Sequence, residues 1–130
     1  MPFDGSSTPN PAEPRSARAV RLLDCLIAFF DGGRNWCQHT HARKGRSCLS
    51  QAMQDIRQRE RLTGDGARSY IMRALRESGS PYRVLIDFND RCRGYGEMER
   101  ILRRARDLAS AAPAMERPHD YCISTSSICN

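Results

Sequence analysis

The sequence has a single lysine, a single tryptophan and no apolar run of membrane-spanning length. Its most apolar stretch, Leu22 to Phe30, is interrupted by Asp24 and Cys25 and follows an amphipathic pattern, so no transmembrane helix and no membrane partner are expected. The opening MPFDGSSTPNPAEP lacks both the basic start and the apolar stretch of a secretory signal, and the expected location is cytoplasmic. Without an exported context the six cysteines read as reduced thiols rather than a disulfide framework. Their spacing also lacks the paired CxxC and HxxxH patterns of zinc modules. No cofactor is expected, and the absence of a family-specific nucleophile motif around Cys48 weighs against an enzyme without deciding it.

What is present is positive charge. The formal balance is +6, and residues 15–112 hold 20 of the 21 Lys and Arg but only 11 of the 15 Asp and Glu. Arg outnumbers Lys 20 to 1, which GC-rich coding explains as simply as phosphate recognition does. One alternative reading nevertheless uses these arginines for nucleic acid or an acidic partner. Residues 48–77 read as helix, Gly-rich turn and helix, decorated by Arg57, Arg59, Arg61, Arg68, Arg73 and Arg76, and the last helix adds Arg100, Arg103, Arg104 and Arg106. The competing reading is a solvated helix face.

Residues 1–14 and 113–130 have no apolar period and are expected to be disordered arms flanking one helical domain over residues 15–112. The expected fold is mainly α: four to five helices in a compact bundle, with one short β-hairpin or irregular arm between the first and second helices. Ala19, Val20, Leu23, Ile27 and Phe30 recur at helical spacing after Pro14, and Gly32-Gly33 stops that helix. Ser47 is positioned to cap a second helix over residues 48–61, and Asp65 a third over residues 66–77. Ser80-Pro81 then suggests a short helix over residues 82–88, with Asn89 to Gly94 as a loop before a last helix over residues 96–111.

The order Trp36-x-Gln38, then Cys48-Leu49-x-x-Ala52, then Asn89-Asp90 before a final amphipathic helix resembles the bacterial domain-of-unknown-function family 6197, over about residues 18–111. The chain departs from that pattern at His39, Gln51 and Phe88, where the family carries Gly, Gly and Trp. The resemblance implies a small helical cytoplasmic protein and assigns no activity.

The chemistry-bearing residues concentrate between Trp36 and Leu49. Cys37, His39, His41 and Cys48 are zinc-type ligands, but in an extended strand Cys37 and His41 stand about 13 Å apart, leaving His39, His41 and Cys48 as a partial metal set. A two-residue turn at Lys44-Gly45 places His41 opposite Cys48. Cys48 in the first turn of a helix, with His41 as base and Asn89 or Asp90 as orienting group, then fits thiol logic. The competing reading is a Cys packed with Leu49, Ala52 and Met53. Asn89-Asp90 reads either as an Asx turn or as a polar pair beside Trp36 and Gln38. The leading expectation is a binding or interaction module. Its site, formed by Trp36, Gln38, Cys48, Asn89 and Asp90, would serve a small polar ligand or a protein partner.

Overall fold

In the computed structural model, which describes residues 14–62 and 64–112, the helical spacing of Ala19, Leu22, Leu23, Leu26 and Phe30 becomes the fully buried stripe of α1 (Arg15–Phe30). Asp31, in the left-handed region at φ 47, ends α1, and a 3-10 turn over Asp31–Gly33 redirects the chain. Gly33 is required there. Its φ is +98, and a Cβ would sit 2.9 Å from Cβ of Tyr95.

The chain next forms a two-stranded antiparallel ribbon, β1 (Ala42–Arg43) and β2 (Arg46–Ser47), with Ala42 paired to Ser47 and Arg43 to Arg46. Lys44 and Gly45 both have positive φ, 50 and 81, as a two-residue hairpin turn of matching twist demands. The remaining elements are α2 (Leu49–Glu60), α3 (Ala67–Glu77), α4 (Leu85–Arg91) and α5 (Tyr95–Ser110). The fold is mainly helical, with the hairpin between the first two long helices. No helix among the described residues is long and apolar enough to cross a membrane. Residues 1–13 and 113–130, where terminal arms were expected, lie outside the described residues.

Helix α5 is the centre of the packing, with α1 and α3 lying against it. Its Met98, Ile101, Leu102, Ala105 and Ala109 are buried, and they meet Ala67, Tyr70, Ile71, Ala74 and Leu75 of α3 in one apolar core. Helix α2 packs on α1 and on α4 instead. The carboxylate of Asp65, 2% exposed, anchors the α2–α3 connection by accepting Arg57 Nε at 2.6 Å and the Ala67 N–H at 2.8 Å.

Three local expectations are corrected. Ser47 does not cap α2, because its backbone is committed to β2; Cys48 occupies the N-cap, its Sγ accepting the Gln51 N–H at 3.4 Å. The fourth helix starts at Leu85 rather than Tyr82, so Asn89 and Asp90 lie inside it and form no Asx turn. Helix α5 begins one residue earlier than the sequence reading, with Gly94 at its N-cap. In the first two cases a packing or hydrogen-bond demand from elsewhere in the chain overrode the local signal.

Candidate functional site

The segment from Asn35 to Cys48 is held in place twice. A parallel bridge pairs Trp36 with Ser47, through Ser47 N–H to Asn35 O at 2.8 Å and Cys37 N–H to Ser47 O at 3.1 Å. Its other side is held by α4, and Asn89 is the centre of that contact.

Asn89 is 2% exposed, and its side chain makes a full set of bonds. Oδ1 accepts Trp36 Nε1–H at 2.7 Å and the Leu49 N–H at 2.9 Å, while Nδ2 donates to Cys37 O at 3.1 Å and to Asp90 Oδ1 at 3.0 Å. One amide therefore ties the arm, the α2 N-terminus and α4 together. Gln38 adds Nε2 bonds to Asn89 O at 3.0 Å and Cys92 O at 3.1 Å, and the His39 N–H donates to Asp90 at 2.7 Å. The Trp36 indole bonds the Asn89 side chain, and its half-buried ring packs against Tyr95 at 5.7 Å between centroids.

His41 stands opposite Cys48. The Cys48 N–H donates to His41 O at 3.0 Å, and Sγ lies 3.7 Å from His41 Nδ1. The orienting role considered for Asn89 is not available, because all four of its bonds go elsewhere. Nor do His39, His41 and Cys48 assemble a three-ligand set: among the described residues no group of three His, Cys, Asp or Glu side chains could hold a metal ion.

Two clefts flank the arm. One, of about 450 Å³, is lined by His39, Thr40, His41, Cys48, Ser50, Ile86, Asn89 and Asp90. The other, of about 660 Å³, is lined by Gly33, Trp36, Cys37, Gln38, His39, Arg43, Lys44 and Arg46. Of the five expected binding residues, Trp36, Gln38, Asn89 and Asp90 join one hydrogen-bond network while Cys48 bonds His41 and Gln51 instead. The five divide between two surfaces, with Cys48, Asn89 and Asp90 on the first and Trp36 and Gln38 on the second. Thr40, Ser50, Ile86 and the hairpin cations were not among the residues the sequence assigned to a site. Ile86 was legible: in the run Val84-Leu85-Ile86 a short helix buries one face only, and Leu85 with Phe88 takes it, leaving Ile86 53% exposed.

Electrostatics around the arm follow from burial and from the fixed N–H donors. Partial burial would raise the Asp90 carboxyl, but the bonds from the His39 N–H and the Asn89 amide, with His39 and His41 nearby, leave it below the ordinary aspartate value. Burial pushes the Cys37 thiol up, and the neighbouring Cys48 adds to this while Arg46 and Arg43 oppose it. Burial likewise raises Cys92. The Tyr95 phenol, beneath Trp36, is pushed up to about 12, first by burial and then by Glu99.

On α5 the expected basic face is largely neutralised within the chain, since Arg103 pairs with Glu99, Arg104 with Glu77 and Arg106 with Asp24. Compared with known proteins, the chain matches no family model, no curated protein and no solved structure.

Proposed function

We propose that this protein is a small cytoplasmic binding module with no catalysis of its own, whose ligand site is the cleft over Cys48 between the arm and α4. The observation that carries this reading is the lining of that 450 Å³ cleft. Polar groups of His39, Thr40, His41, Ser50 and Asp90 converge beside the exposed side chain of Ile86. A few convergent polar groups against an apolar wall suit a small polar ligand or the end of a peptide. The kinship with family 6197 belongs to the same proposal, and is supported by the meeting of Trp36, Gln38, Leu49, Asn89 and Asp90 in one network although up to 54 residues apart.

The test is a titration of the labelled protein with a set of small amides, carboxylates and capped dipeptides, followed by backbone amide NMR. Shifts at residues 39–41, 48–50 and 86–90 that vanish in Ile86→Asp are expected. Shifts confined to the α5 arginines would replace this reading with the electrostatic one, and no shifts at the cleft would remove it.

A second reading, thiol chemistry at Cys48, rests on the 3.7 Å between Sγ and His41 Nδ1 at a helix N-terminus. Its mark is alkylation of Cys48 in the folded protein well below neutral pH, slowed by His41→Ala. If Cys48 reacts only on unfolding, the cysteine is a packed cap.

A further inference from the structure

A cluster of three cations without carboxylate partners among the described residues lies at the hairpin. Arg43, the only lysine Lys44, and Arg46 fall within four residues, and none takes part in an ion pair among the described residues. On the helices Arg57, Arg103, Arg104 and Arg106 each meet a carboxylate, while Arg68, Arg76 and Arg100 stand singly rather than clustered within four residues. The ribbon register makes the contrast sharper. Arg43 and Arg46 are direct cross-strand partners, so two guanidinium groups leave the same side of a two-residue ribbon. Like charges in that relation destabilise the ribbon unless an anion lies between them.

The same three cations line the 660 Å³ cleft, whose other walls are Gly33, Trp36, Cys37, Gln38 and His39. This volume is within the range of small-ligand sites, about 300–1,000 Å³. Trp36 is fixed at its indole N–H by Asn89 and against Tyr95, so its ring is a preset apolar surface. Gln38 is likewise fixed through Nε2, while its Oε1 has no partner among the described residues and remains an acceptor. Three cations, an aromatic ring and a fixed amide acceptor in one lining match a ligand that joins phosphate to a flat, hydrogen-bonding ring.

We propose that this cleft binds a nucleoside phosphate, its phosphate groups on Arg43, Lys44 and Arg46 and its base against Trp36 and Gln38. The ligand source is either a free nucleotide or a residue of a single strand, and the chemistry at the cleft is common to both. The two clefts share only His39 in their linings, and the two proposals succeed or fail separately.

Because Trp36 is the only tryptophan, its fluorescence reports this cleft directly. The experiment titrates the full chain with ADP, with inorganic pyrophosphate and with oligothymidylates of increasing length, at several salt concentrations. A saturable change with ADP is expected, weakening as salt rises and binding more tightly than pyrophosphate.

Arg46→Glu is the informative variant. It sets a carboxylate opposite Arg43 and so keeps or strengthens the ribbon, yet should weaken ADP by about tenfold or more. Arg43→Glu is the reciprocal variant and should behave alike, whereas Arg100→Glu on α5 should bind as the parent does. An affinity that grows with strand length identifies the strand as the source; equal affinity for ADP and the oligonucleotides identifies the free nucleotide. The proposal is overturned by no saturable change, by pyrophosphate binding as tightly as ADP, or by equal losses in Arg46→Glu and Arg100→Glu.

Discussion

Replacing Asn89 by Ala tests whether one buried amide organises this region. The substitution leaves the Leu49 N–H, the Trp36 indole N–H and the Cys37 carbonyl without their partner, while Asp90 keeps the His39 N–H. Each buried group left unsatisfied costs about 1–3 kcal/mol. The half-buried indole can turn toward water and belongs at the lower end of that range, and losses from one network do not add fully. A net loss of about 3–4 kcal/mol is expected, which for a domain of this size is a fall in Tm of roughly 12–25 °C. Urea unfolding followed by far-UV circular dichroism measures it, with Trp36→Phe and the double variant completing a cycle. Trp36→Phe keeps an aromatic ring but removes the N–H together with the pyrrole half of the indole, so it should lose at least about 1 kcal/mol. The two changes should couple by at least about 0.5 kcal/mol. Additive losses, or a loss in Asn89→Ala below about 1 kcal/mol, would refute the claim that this amide holds the arm to α2 and α4.

His39 has φ 68, a region that costs an L-residue about 1–2 kcal/mol, so His39→Gly should raise stability by roughly 0.5–1 kcal/mol after the extra chain entropy of glycine is set against it, as read by urea midpoint. Arg57→Ala should destabilise more than Asp65→Asn, by about 3 kcal/mol, because it strands a carboxylate that is 1% exposed; equal losses would assign the pair no special weight. The Asp90 carboxyl is held below its ordinary value, so its contribution is present above the unfolded pKa and is lost as pH falls through the folded one. Asp90→Asn should flatten the fall of Tm below about pH 4. The Tyr95 hydroxyl is buried without a partner among the described residues, and its pKa is pushed up to about 12. The fold therefore accepts the neutral phenol more readily than the phenolate, so stability is unaffected by this group below the unfolded tyrosine pKa and falls as pH rises from there toward about 12. Tyr95→Phe should remove the latest step of an ultraviolet tyrosine titration and raise neutral-pH stability by about 1 kcal/mol.

The helices were legible because burial on one side of a helix imposes a period on the sequence, and Leu23, Ile56, Ile71 and Leu102 satisfy it locally. The hairpin turn was legible for a related reason: Lys44-Gly45 needs two positive φ values, and the second falls on glycine. The start of α4 was not, since Ser80-Pro81 is a sound local start signal that the packing of Leu85 and Phe88 overrode. The cap of α2 escaped for the same reason, because one of its acceptors comes from Asn89, 40 residues away.

By itself the sequence determined the helical class, the order of elements and the segment where polar chemistry collects, since propensity, periodicity and turn residues act between neighbours along the chain. Only the tertiary structure decided what that segment does. It buried Asn89 in four bonds, set His41 against Cys48 without a third member, and paired off arginines of α5 while leaving Arg43, Lys44 and Arg46 unpaired at the mouth of a cleft. The physical reason is that hydrogen bonds and ion pairs depend on distance in space. Partners some 27 to 82 residues apart, such as Glu77 with Arg104 or Asp24 with Arg106, leave no local mark in the sequence.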